Sequence, residues 1–449
     1  MAPLHCRPDR TTIQKRVAVP VIRTTSLFKG LRQPLLGVFM AMASVSALAQ
    51  AAPPAAASAA SAPAGPTVRA EVGKPLREAQ DLINARNGKD ALPKIIEAEA
   101  VPNLTSFEAY AIARTKAIAA VGAGEPLLAI AALEKTLASD HLPPADRVPL
   151  IDVMVRLSLQ VKDYARAALW LVRYKDAGGA DPALRQQLPQ VLVETNDFAG
   201  VVRESQILLK ADQAAGRASP ESLLRNLAFS QNKLGDGAGY LATLELLATQ
   251  HPKLDYWSEL ISRAERKPGF DSNRLRLDVY RLSRAVGVVL DASELADMAQ
   301  LAQLAGLPAE AQALADEGFT SGLLGKGRDA ALHQKLREQA TKAAVQDRAS
   351  WAEAEKSALA GKDGNGLVNL GFALSGAGQH DKALSLIEQG LAKGGLRRPD
   401  EVALHLALVQ WRAGKLAEAA RSFAAVKGSD GSTELARVWG LFLASGKKG

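Results

Sequence analysis

From about residue 71 onward, apolar residues recur at helical spacing in stretches of about 11–15 residues, parted by short breaks of Gly, Pro, Asn or Asp. The segment 366–395 shows the pattern most plainly. Leu367, Leu370 and Leu374 fall at i, i+3 and i+7, which draws one apolar stripe down a helix. Gly376 and Gly378 follow, offering the backbone freedom that a tight turn demands. Leu384, Ile387 and Leu391 then draw a second stripe. Two amphipathic helices joined by a short turn make an antiparallel hairpin, and one hairpin cannot cover both of its own stripes. It must stack on neighbours. No segment sustains the period-2 alternation of a strand, so the expected fold is all-α with no sheet.

The hairpin recurs. The pattern Leu367-x2-Leu370-Gly371-x2-Leu374, followed by Ala383-x3-Ile387, resembles the tetratricopeptide repeat (TPR). A looser version follows at Ala403-x2-Leu406-Ala407, Gly414 and Ala419-x3-Phe423. Upstream stand Leu224-x2-Leu227-Ala228 with Gly235, Leu244 and Pro252, and Ile151-x2-Met154 with Tyr164, Ala167 and Leu171. Asp163-Tyr164 returns as Asp197-Phe198, a spacing of 34 residues, the repeat length of that family. Equivalent alanines and turns place hairpins near residues 72, 110, 148, 182, 221, 254, 292, 328, 364 and 400, about 36 residues apart. The matches near 254 and 328 are the poorest. The first is interrupted by an irregular break at 266–274, and the second opens on a long helix over about 328–346. A final helix, Thr433–Ala444, reads as a cap over the last apolar face. The resemblance implies a right-handed helical-hairpin solenoid of about ten repeats, spanning 71–449.

Ahead of that body the pattern changes. Residues 35–49 form a 15-residue apolar run behind a basic segment, followed by the small-residue arrangement Ala47-Leu48-Ala49 or Ala49-Gln50-Ala51. The run is short of the roughly 20 residues needed to span a bilayer. Residues 1–49 thus read as a secretory signal peptide. Residues 50–70 read as an Ala-, Pro- and Ser-rich disordered linker. The expected location is the periplasm; the alternative is an inner-membrane anchor made by an uncleaved signal. The resemblance extends to secreted tetratricopeptide proteins of Gram-negative envelopes.

Charge changes meaning once the leader is set apart. The 449-residue chain has a formal net charge of +8. Seven basic residues and only Asp9 fall before residue 50, leaving 48 basic against 46 acidic in the rest. A near-neutral body argues against nucleic acid, which calls for clustered Lys and Arg. Mean hydropathy of −0.03 argues against a polytopic membrane protein. The one cysteine, Cys6, lies in the leader and excludes a disulfide framework.

Motifs for chemistry are missing. Gly318–Gly327 is glycine-rich, but Gly325-Lys326 is followed by Gly327 where a phosphate loop needs Ser or Thr. Asp363-Gly364-Asn365-Gly366 lacks the further oxygen ligands of a calcium loop and reads as an interhelix turn. His405 and His380 have no metal-spaced companions. No catalytic residue, cofactor or metal is expected. A cell-wall hydrolase on a solenoid body would need a catalytic domain for which no segment remains.

The expected function is therefore a non-catalytic scaffold that holds a peptide or partner protein. A structural or assembly component of an envelope machine, serving polysaccharide export or energy transduction, differs from it only in partner. The resemblance implies a concave groove lined by the first helix of each hairpin. Carried onto this chain, it gives Arg156, Gln160, Gln186, Gln190, Arg225, Phe229, Asn232, Lys233, Trp411 and Arg412 as groove residues. Trp and Arg are enriched in binding hot spots. The leader yields a first prediction: an osmotic-shock fraction should contain a mature chain whose intact mass places its start near Gln50 or Ala52. Full-length protein in the membrane pellet would instead support the anchor.

Overall fold

The computed structural model describes residues 67–446. The expected signal peptide, and the linker up to residue 66, lie outside them. The last linker residues already belong to the folded body, since the Arg69 side chain holds Glu108 and the first helix starts at Ala70.

The described residues hold 20 α-helices and no strand. They divide into two compact units, the first ending at Gly235 and the second starting at Asp236. In the first unit α1 (Ala70–Asn84) pairs with α2 (Gly88–Glu99), and α3 (Ser106–Ala123) with α4 (Pro126–Leu137). Next come α5 (Pro144–Gln160) with α6 (Tyr164–Asp176), and α7 (Pro182–Glu194) with α8 (Phe198–Ala214); α9 (Glu221–Lys233) ends the unit. The second unit opens with α10 (Gly237–Gln250), α11 (Leu254–Glu265) and α12 (Arg276–Ala285). The hairpin α13 (Ala292–Leu304) and α14 (Pro308–Thr320) is followed by one long helix, α15 (Ala330–Ala360). Two more hairpins pair α16 (Asn365–Gly376) with α17 (His380–Lys393), and α18 (Pro399–Arg412) with α19 (Leu416–Ala425). The last described helix is α20 (Ser432–Ala444).

The turns explain the period. The tight turns carry one residue with left-handed φ, at Arg86, Gly124, Lys162, Asn196, Gly235, Gly306, Gly378 and Gly414. At Arg86 and Lys162 a side chain bears that conformation, at a cost of about 1 kcal/mol or more. Backbone bonds lock the turn: the Asp163 amide donates to the Ser158 carbonyl at 2.9 Å, and that of Asp197 to Leu192 at 3.0 Å. Asp163 and Asp197 then cap the next helix, their carboxylates accepting from the amides of Arg166 and Gly200. Asp236 does the same for Gly239. The recurring Asp thus ends a turn and starts a helix.

Expected hairpin starts fall within four residues of observed helix starts throughout. Two repeats depart from expectation. The hairpin expected at 221 is divided between the two units. The one expected at 328 is the single helix α15, because Ala330–Ala360 contains no Gly or Pro to break it. Only His333, Ala340 and Ala344 on it are buried, so it needs no partner for a second stripe.

In the first unit α1 packs on α3 and α7 on α9, so first helices meet first helices. After α15 the alternation shifts: α14 packs on α16, α16 on α18 and α18 on α20. The last helix is more than a cap. It packs against α10, α11 and α12, closing the second unit on its own beginning. Trp439, Phe442 and Trp257 are fully buried there, Trp439 stacking on Phe423 with ring centres 5.5 Å apart. The irregular break 266–274 supplies the dock: the Asp271 amide donates to the Asp430 carbonyl at 2.8 Å, and Arg274 pairs with Glu401 at 2.5 Å and with Asp430. Gly431, at φ 103°, lies so close under the Phe270 ring that a Cβ would strike it.

Ala383 on α17 is fully buried, and a Cβ on Gly371 of α16 would lie 2.8 Å from its carbonyl oxygen. The helices touch backbone to backbone there. Ala383→Trp should therefore lower the melting temperature sharply, with overpacking costing about 1–3 kcal/mol or more. An unchanged melting temperature would place the α16–α17 contact elsewhere.

Candidate functional site

In the first unit, three polar links run between successive first helices or their caps. Arg114 on α3 pairs with Asp146 at the start of α5 at 3.1 Å, and its guanidinium donates to the Tyr110 hydroxyl at 3.2 Å. Arg156 on α5 holds Asp152 at 2.5 Å and reaches Asp181, the N-cap of α7, at 3.5 Å. Asn226 on α9 donates to the Gln190 side chain on α7 at 2.9 Å, 36 residues away and thus one repeat length. Gln190 in turn donates to Glu194 at 3.2 Å. Phe229 lies one turn beyond Asn226, half-buried against Phe198 with ring centres 5.8 Å apart, and the Lys233 ammonium sits 5.4 Å from its ring centre.

The expected groove residues of this unit therefore divide. Arg156 and Gln190 each make one of these separate links, and Phe229 follows Asn226 on α9. Gln160, Gln186 and Asn232 are exposed, and Arg225 is half-buried. Arg114, Asp146 and Asn226 belong to these links but are not legible as site residues in the sequence. The repeat-length spacing of Gln190 and Asn226 is the available signal.

Trp411 and Arg412 require correction: neither is a free groove residue. The neighbouring α20 places its Trp439 ring centre 4.8 Å from that of Trp411. Arg412 donates to Glu310 at 3.0 Å. Glu310, on α14, also takes a two-pronged contact from Arg281 of α12, at 2.9 and 2.7 Å. Arg281 holds Asp278 at 2.7 Å, and the far oxygen of Asp278 lies 3.4 Å from His405 Nε2. The His405 ring stacks on Phe372 at 3.9 Å and 3°, and the Arg281 guanidinium lies 4.9 Å from the same phenyl ring. Asp278, Arg281 and Glu310 are all buried. Their separation in sequence, up to 127 residues for Asp278 and His405, hides the group from any local pattern.

Burial pushes the Glu310 carboxyl up, but Arg281 and Arg412 override it and bring it from 4.5 to about 2. Asp278 is likewise held below the usual carboxylate range, since His405 and Arg281 outweigh its burial. In the first unit, hydrogen bonds from the Arg69 side chain and from the Thr105 and Arg69 amides bring Glu108 to about 2. Among the described residues, no group of His, Cys, Asp and Glu is placed to hold a metal ion, and no helix is long and apolar enough to cross a membrane.

No family model matches the chain, and no curated protein matches it. Among solved structures it is similar to that of Naa15/Naa10 bound to HypK-THB, with 14% identity, 81% of this chain and 70% of that chain covered, and a TM-score of 0.21. At that score the likeness carries no argument about function.

The depressed carboxylates fix a sign. Their stabilising contribution is complete above about pH 4.5 and is lost as pH falls toward about 2. Urea midpoints should hold steady from about pH 7 to 5 and then drop between about pH 4.5 and 3. Glu310→Gln should flatten part of that drop; an identical drop in the variant would remove Glu310 from the account.

Proposed function

We propose that this protein is a non-catalytic, tetratricopeptide-like scaffold of the periplasm, and that its first unit holds a peptide or a segment of a partner protein along the first-helix row. One observation carries the reading: the Gln190–Asn226 bridge, continued by half-buried Phe229. It sets two carboxamides, each with donor and acceptor capacity, beside a half-buried aromatic ring. Peptide backbones offer the matching donors and acceptors, and an apolar side chain finds the ring. Arg114 and Arg156 are already paired with carboxylates within the protein, so these links favour hydrogen-bonding and apolar groups over a polyanion.

Asn226 spends one N–H on Gln190, so its second N–H and its carbonyl oxygen can meet a ligand with the bridge intact.

Periplasmic cross-linking should capture a protein partner. Gln190→Ala with Phe229→Ala should then weaken its binding by about 1 kcal/mol or more for each hot-spot side chain, with circular dichroism unchanged. Gln206→Ala with Lys210→Ala, exposed residues on α8, should leave binding intact. Loss of binding in the second pair alone would place the partner on the other helical layer.

A further inference from the structure

Closure of the second unit encloses a cleft of about 690 Å³ on the inner sides of α12, α13, α16 and α18. Its volume falls in the range of small-molecule sites, roughly 300–1,000 Å³. One part of the wall is apolar, formed by Leu277, Leu301, Leu304, Leu307 and Val368. Leu304 is 77% exposed although it faces this cleft. The other part is polar and positive, with Arg274, Arg281, Arg397 and Arg398 lining it against only two carboxylates, Asp278 and Glu401. The larger cleft of the first unit, about 820 Å³, contrasts with it: Arg147, Arg166 and Arg173 there are balanced by Glu134, Asp163 and Asp176.

The arginines of the second unit are not equivalent. Arg281 is spent on Asp278 and Glu310, Arg274 on Glu401 and Asp430, and Arg398 on Glu401 at 3.4 Å. The Arg397 guanidinium makes no direct ion pair or hydrogen bond among the described residues, and the one carboxylate that feels its charge, Asp363, does so without touching it. The Arg397 backbone is nevertheless fixed, because its amide donates to the Asn365 side chain at 3.1 Å and Asn365 donates to the Gly395 carbonyl at 3.0 Å. The neighbouring Asn369 side chain is exposed and also lines the cleft.

We infer that the second unit binds an amphipathic organic anion, its apolar body against Leu301 and Leu304 and its carboxylate or phosphate head on Arg397. A guanidinium presents paired donors that suit either head group. An inorganic anion would leave Leu304 wet, and a neutral lipid would bring Arg397 no charge to bind. The inference is independent of the first-helix row of the first unit.

The test is calorimetry on the purified chain with decanoate, decyl phosphate, decan-1-ol and acetate. Decanoate or decyl phosphate should bind at least about tenfold more tightly than the alcohol, and acetate should not bind; the tighter of the two anions names the head group. Arg397→Gln, at an exposed position, should cost about tenfold and erase the preference over the alcohol. Asn369→Trp should fill the cleft and abolish binding, with circular dichroism unchanged. Equal binding of alcohol and anions, or binding indifferent to both substitutions, would overturn the inference, as would no binding of either anion.

Discussion

A helical hairpin carries two apolar stripes and can hide only part of each against itself. Everything else in this protein follows from finding cover for the remainder. In the first unit, hairpins of near-constant length stack so that each covers the next, and α9 ends the row. In the second unit the same need is met by a return: α20 comes back to α10, α11 and α12, and Trp257, Trp439 and Phe442 are buried by the meeting. A solenoid end that covers itself needs no polar terminal repeat.

That return also explains the charges inside the second unit. Helices brought face to face from distant parts of the chain must pair whatever polar side chains they carry. Asp278, Arg281, Glu310 and Arg412 do so as a chain of alternating sign, with Phe372 and His405 stacked beside it. Pairing of this kind is weak evidence for added stability, because desolvation offsets much of the attraction. Its firmer effect is on specificity. A hairpin slipped by one position would leave a buried charge without its partner, so the network favours one register.

What the sequence makes legible is local. Stripes at i, i+3 and i+7 locate the helices, and the recurrence of Asp163 as Asp197 marks turns whose residues lock one helix and cap the next. Those signals act within a few residues, where spacing is enough. A strict repeat period predicts a hairpin where α15 runs unbroken, and the lack of Gly and Pro in that stretch is the stronger signal. The dock at 266–274 reads as an irregularity, since nothing near Arg274 points to Glu401 or Asp430, 127 and 156 residues away. Arg412 departs from expectation for the same reason, since Glu310 arrives from 102 residues away, whereas Trp411 is covered by the neighbouring α20. The row in the first unit is half legible, because Gln190 and Phe229 stand on faces set by the repeat, whereas the partners Arg114 and Asp146 are set by packing.

Closure of the second unit by its last described helix sets the order in which the chain becomes safe during synthesis. A ribosome delivers α10, α11 and α12 first and α20 last, and every residue from Val286 to Gly431 is made in between. At about 5–20 residues per second, that interval lasts roughly 7–30 s. Throughout it the indole of Trp257 lacks the Phe442 ring that meets it in the finished fold, 6.2 Å away between centres. The hairpins of the first unit cover one another as they emerge, so their apolar stripes are open only briefly. In the second unit, by contrast, the face of Trp257 that meets Phe442 stays bare until α20 arrives.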